Sequence, residues 1–85
     1  MNKAQFVKTF SDFLKNNVSE FHDLKSLVYV DDNNREWLYV NYNSYSQKRI
    51  DISMDSDYSI MMDFFKHVED APWLVDKFDE DIYNS

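Results

Sequence analysis

Eighty-five residues with no cysteine and a formal charge of −7 imply one small α+β domain, residues 1–85, without a disulfide staple, a thiol nucleophile or a cysteine-bound zinc. No run approaches the roughly 20 apolar residues of a membrane span, and the first ten residues, "MNKAQFVKTF", lack the apolar stretch and small-residue cleavage site of a signal peptide. A cytoplasmic protein held by apolar packing is expected, and seven Phe, six Tyr and two Trp provide the large buried area per residue that so small a core requires.

Asn2 followed by Gln5 matches a capping box, and Phe6, Val7, Phe10, Phe13 and Leu14 recur at helical spacing, so a helix is expected from Lys3 to Asn16. Val18 to Lys25 reads as a connection with Phe21 and Leu24 tucked into the core. "SLVYV" (Ser26–Val30) is a strand, ended by a four-residue polar turn, "DDNN". "REWLYVNY" (Arg35–Tyr42) alternates, with Leu38, Val40 and Tyr42 on one side and Trp37, Tyr39 and Asn41 on the other. "YSQKRIDIS" (Tyr45–Ser53) alternates again. Three strands joined by short polar turns form an antiparallel meander, with Leu38, Val40, Ile50 and Ile52 facing the helices. Trp37, Tyr39, Tyr45, Arg49 and Tyr29 are expected on the opposite face.

Asp55 is placed to cap a second helix, Ser56 to Glu69, whose stripe is Tyr58, Met61, Met62, Phe64, Phe65 and Val68. Pro72 ends that helix and opens a third, capped by Asp70 and buried along Leu74, Val75, Phe78 and Ile82. The expected order is α-β-β-β-α-α.

Two compositional features bear on function. Glycine is absent, although average usage of about 7% would put roughly six in a chain of this length; every turn falls to Asn, Asp or Ser. The plentiful Asn, Asp, Lys, Phe, Tyr and Ile are the bias of an AT-rich gene and point to a low-GC bacterium or its phage. Charge is also lopsided. Residues 1–50 hold six acids and seven bases, a sum of +1, whereas residues 51–85 hold ten acids against Lys66 and Lys77, a sum of −8. Such asymmetry points to interaction, and it speaks against nucleic acid as a direct ligand, which needs Lys and Arg on one face.

The candidate partner-binding acids are Asp55, Asp57, Asp63, Glu69, Asp70, Asp76, Asp79, Glu80 and Asp81. Duplex DNA carries one negative charge per about 1.7 Å of axis, so a row of carboxylates imitates part of it for a protein patch rich in Arg and Lys. The plainer reading is a solvated acidic surface, and acids at helix starts also suit the helix dipole. Trp37 and Tyr39 form a second candidate, an interface patch or simply rings covering a thin sheet. His67 has Asp63 and Asp70 at helical spacing, but a zinc site wants a tighter set. No glycine loop, paired acid/base signature or Ser-His-Asp pattern is present, so neither an enzyme, a cofactor nor a metal is expected.

The stretch "DSDYSIMMDFFKHVEDAPW" followed by "DKFDEDIYN", with the α-β-β-β-α-α order, resembles the small phage-encoded anti-CRISPR proteins that inhibit type II nucleases by mimicking DNA. The resemblance implies stoichiometric inhibition in the host cell cytoplasm, with acids at the turns and on the last two helices lying in the nuclease's DNA groove. The leading expectation is therefore a small acidic inhibitor, a monomer or weak dimer, that occupies the basic DNA site of a nucleic-acid-binding enzyme. The alternatives are an antitoxin or immunity protein against a basic nuclease toxin, and an aromatic-face oligomerisation module.

Overall fold

The computed structural model describes residues 2–69, which build an α+β fold: a three-stranded antiparallel meander with one helix before it and one after it. Helix α1 spans Lys3–Asn17, strand β1 Leu24–Asp32, strand β2 Arg35–Tyr42, strand β3 Lys48–Asp51 and helix α2 Asp57–Glu69, with a short 3-10 turn at Ser19–Phe21. The expected third helix, with Asp70, Pro72, Leu74, Val75, Phe78 and Ile82, lies outside the described residues.

Helix α1 starts as its sequence dictates. The Asn2 Oδ1 accepts the Gln5 N–H at 2.8 Å, and the Gln5 Oε1 accepts the Asn2 N–H at 3.3 Å. This reciprocal box satisfies two donors that a helix start leaves orphaned. The buried face is Val7, Phe10, Ser11 and Leu14, with Phe6 packed beside it. Phe13, expected on that face, is 54% exposed, because at 3.6 residues per turn it lies about 110° from the centre of that stripe. Ser11 is buried for a different reason: its Oγ accepts the Leu27 N–H at 2.9 Å. A backbone donor on the outer edge of β1 is thereby satisfied by α1 rather than left as a template for another chain.

The sheet order is β1-β2-β3. Asp32 pairs with Arg35, so the hairpin turns on Asn33 and Asn34 alone, and the expected four-residue turn is in fact a two-residue one. Asn33 takes φ 57°, the left-handed conformation that Asn tolerates where glycine is the usual choice. Leu27 lies opposite Val40, Tyr29 opposite Leu38, and Leu38 opposite Ile50. Tyr29 therefore belongs to the inner, helix-covered face, contrary to the expectation, because period-two alternation ties it to Leu27. Strand β3 is shorter than expected. Gln47 Nε2 donates to Asn41 Oδ1 at 2.6 Å and the Tyr45 ring meets Tyr42 edge-on at 6.3 Å, which holds the 43–47 segment out of the ladder. Three of the four β3 residues, Lys48, Arg49 and Asp51, are exposed.

Helix α2 is capped by Ser56, whose Oγ accepts the Ser59 N–H at 3.3 Å, and not by Asp55, whose carboxyl is turned elsewhere. Its buried face is Ile60, Phe64 and Val68, each one turn from the next, with Met61 packed against the core. Tyr58 (69%), Met62 (50%) and Phe65 (39%) are exposed; the expected stripe omitted Ile60, and adding it rotates the buried face away from those three. The core is a ring cluster under aliphatic residues of the sheet: Phe10 and Phe21 each bring a ring centroid within 5.6 Å of Phe64.

Candidate functional site

The meander returns its own acids to one end of the sheet. At the start of β2, Glu36 lies opposite Asp31, and like charges directly opposite each other destabilise a strand pair. The neighbourhood offsets this with two donors. Lys3 of α1 reaches Glu36 Oε1 at 2.7 Å and the Ile52 carbonyl at 3.0 Å, and the Tyr29 hydroxyl donates to Glu36 Oε2 at 2.5 Å. The Lys3 hydrogen bond first, and then that of Tyr29, hold the Glu36 carboxyl below the usual carboxylate range, while the same contact pushes the Tyr29 phenol up to about 12. One lysine thus ties α1, β2 and the chain leaving β3 together.

Beyond β3 the chain turns on Asp51. Its Oδ1 accepts from the Ser53 hydroxyl at 2.6 Å and from the Ser53 N–H at 2.9 Å, and these bonds lower the Asp51 carboxyl, with a smaller contribution from Arg35. Ser53 in turn takes the Glu36 N–H on its Oγ at 2.8 Å. Arg35 Nη1 stands 3.8 Å from Asp51 Oδ2, both side chains largely exposed.

Asp55 follows within this loop. Its Oδ2 is buried and has no hydrogen-bond partner among the described residues. Its carboxyl meets that of Asp63 on α2, and the hydrogen bond with Asp63, burial and the Asp63 charge raise it to about 6; Asp51 acts in the same sense and Lys3 opposes it. Asp57 lies exposed in the first turn of α2, where the helix dipole favours an anion.

Of the predicted site residues, Asp55, Asp57 and Asp63 are brought together at this end. Glu69 closes α2, six residues beyond Asp63. Asp70, Asp76, Asp79, Glu80 and Asp81 lie outside the described residues. Trp37 and Tyr39 are half-buried on the outer face, with the Arg49 guanidinium 4.8 Å from the Trp37 ring centroid, a cation–π contact. They lie on a different surface from the α2 acids. Reading by halves of the chain missed Asp31, Asp32 and Glu36, which the hairpin carries to the acidic end beside Asp51. The strand alternation, counted through a two-residue turn, contains that information.

Among the described residues this end collects seven acids (Asp31, Asp32, Glu36, Asp51, Asp55, Asp57 and Asp63) against Lys3 and Arg35, with the Arg49 guanidinium on the outer face over Trp37, the residue opposite Asp51. Also among the described residues, no group of three or more His, Asp or Glu side chains is placed to hold a metal ion, and no helix is long and apolar enough to cross a membrane. Chemically, the arrangement offers carboxylates to a cationic surface. No family model, curated protein or solved structure matches the chain.

Proposed function

We propose that the chain is a small acidic binding protein that inhibits a nucleic-acid-binding enzyme by occupying its basic DNA site, in the manner of the anti-CRISPR proteins it resembles. The observation that supports this reading is the retention of unfavourable acid pairs at one end. Asp31 lies opposite Glu36, a pairing that Lys3 and Tyr29 offset, and the Asp63 charge raises Asp55. Departures from local rules of this kind concentrate at functional sites. A third helix following Pro72 would add Asp76, Asp79, Glu80 and Asp81 to the acids. The protein would then act in the cytoplasm of the host cell as a monomer or weak dimer.

The experiment is protection of DNA from cleavage by a type II CRISPR nuclease. Equimolar protein should block cleavage, the block should weaken as salt rises, and Asp32→Lys with Asp57→Lys should raise the inhibitory concentration about tenfold or more, about 1.4 kcal/mol. Full cleavage at every protein concentration would overturn the anti-CRISPR assignment. Inhibition indifferent to salt and to both substitutions would overturn DNA mimicry. An antitoxin would instead neutralise a basic nuclease toxin with the same salt dependence.

The Trp37–Arg49 contact on the outer face favours one further reading, an oligomerisation module. It requires a tight dimer in sedimentation that Trp37→Ala dissociates while the acid variants leave it intact.

A further inference from the structure

We propose that residues 70–85 fold back over helices α1 and α2, with Leu74, Phe78 and Ile82 covering an apolar strip that these two helices leave in solvent. The sheet takes only one side of α2, through Ile60, Phe64 and Val68. Tyr58, Met62 and Phe65 form a second apolar line on the same helix, and all three are exposed. Their spacing of four and then three residues sets them one above the other, about 130° round the helix from the buried line. Rings carry the strip across to α1: Phe65 meets Phe10 edge-on at 5.8 Å, and Phe10 stacks on Phe6 at 5.9 Å. Phe13 is exposed too, and it lies on the same side of α1 as Phe6, close to two turns further on. A contiguous apolar strip of this kind marks a surface that something covers.

The chain itself supplies the cover. After Glu69 it continues with Leu74, Val75, Phe78 and Ile82 at helical spacing, a face that needs a surface to be buried on. Reach selects the seat. Asp70, Ala71 and Pro72 span about 10 Å at full extension, which matches the 8–10 Å between packed helices. A second apolar patch lies on the outer face of the sheet, where Val28 pairs with Tyr39 and Val30 with Trp37. A helix seated there would run roughly 20 Å from the α2 axis, about one helix diameter on each side of the strands. Three residues do not bridge that distance. Proline in turn keeps the residue before it out of helical geometry and suits a first helical turn, so Pro72 favours a reversal at this point. From Pro72 to Ile82 a helix rises about 16 Å, enough to return along most of α2. Asp79, Glu80 and Asp81 then come back to the level of Asp57. The packing stands apart from the proposed function, and only the use of those acids rests on it.

Side-chain NOEs measured on the full chain test the packing. The expected contacts join Leu74, Phe78 or Ile82 to Phe13, Tyr58, Met62 or Phe65 within one molecule. Contacts to Val28, Trp37 or Tyr39 instead, contacts that an isotope-mixed sample assigns to a second copy, or none at all would overturn the proposal. Met62→Ala and Phe78→Ala add an energetic check. For residues in contact, the Tm loss of the double variant should fall short of the two single losses together, and strict additivity would overturn it. The wild-type NOEs decide the matter should a variant fail to fold. None of these readouts involves a nuclease, so failure of the packing and failure of the inhibitor reading are told apart.

Discussion

Where β2 begins, Lys3, Glu36, Tyr29, Ser53 and Asp51 join helix, strand and loop through charged or hydroxyl hydrogen bonds. In the half where β2 finishes, the rings of Phe10, Phe64 and Phe65 meet edge to face with Phe21 tilted against them, and Tyr42 contacts His67 Nε2 at 3.1 Å. Burial pushes the Tyr42 phenol up to about 12, so that hydroxyl stays protonated over the range in which carboxylates change their charge. The same small sheet is thus held at one end mainly by charged hydrogen bonds and in the other half mainly by packed rings. Function of the kind proposed needs the titratable end exposed; stability needs the ring cluster dry.

The contrast can be broken most forcefully in the ring cluster. Phe64→Ala, at a fully buried site, should lose about 3–5 kcal/mol in urea unfolding, and the loss should be the same at low and high salt; a strongly salt-dependent loss would show that the two regions are not separable. Acidification probes the other end. Glu36 and Asp51 bind protons less readily folded than unfolded, so the stability they contribute is present above their usual 4.5 and 3.8 and disappears as pH falls through their lowered folded values. Tm should drop on acidification below about pH 4.5, and Lys3→Met, by removing the main cause of the Glu36 shift, should flatten that drop; an equally steep acid limb in the variant would contradict the assignment. The smallest effect belongs to Arg35→Ala. At 3.8 Å and with both side chains exposed, the Arg35–Asp51 pair should leave Tm unchanged within error, as such surface pairs do.

Local chemistry made some of this legible in the sequence. The Asn2–Gln5 box and the alternation of Leu38, Val40 and Tyr42 are decided by neighbours within a few residues, and both are found in the structure. What depends on distant pairing was not legible. Ser11 reads as an ordinary polar residue of α1 until Leu27 is seen to donate to it. Asp55 reads as a helix cap until Ser56 takes that role and the carboxyl meets Asp63. The acids of the candidate site were sought in the second half of the chain, whereas the meander supplies three more, Asp31, Asp32 and Glu36, from the first.

Strand β3 carries a consequence for self-association. Among the described residues no strand pairs with its outer side, and an incoming strand would have to lie beside Lys48, Arg49 and Asp51, two cations and an anion within four residues. A segment matched in charge to one of these is mismatched to another, and an apolar one strips water from all three. At the far margin the Ser11 hydroxyl takes one backbone donor of β1, that of Leu27, so neither border of the described sheet is a bare, uncharged template.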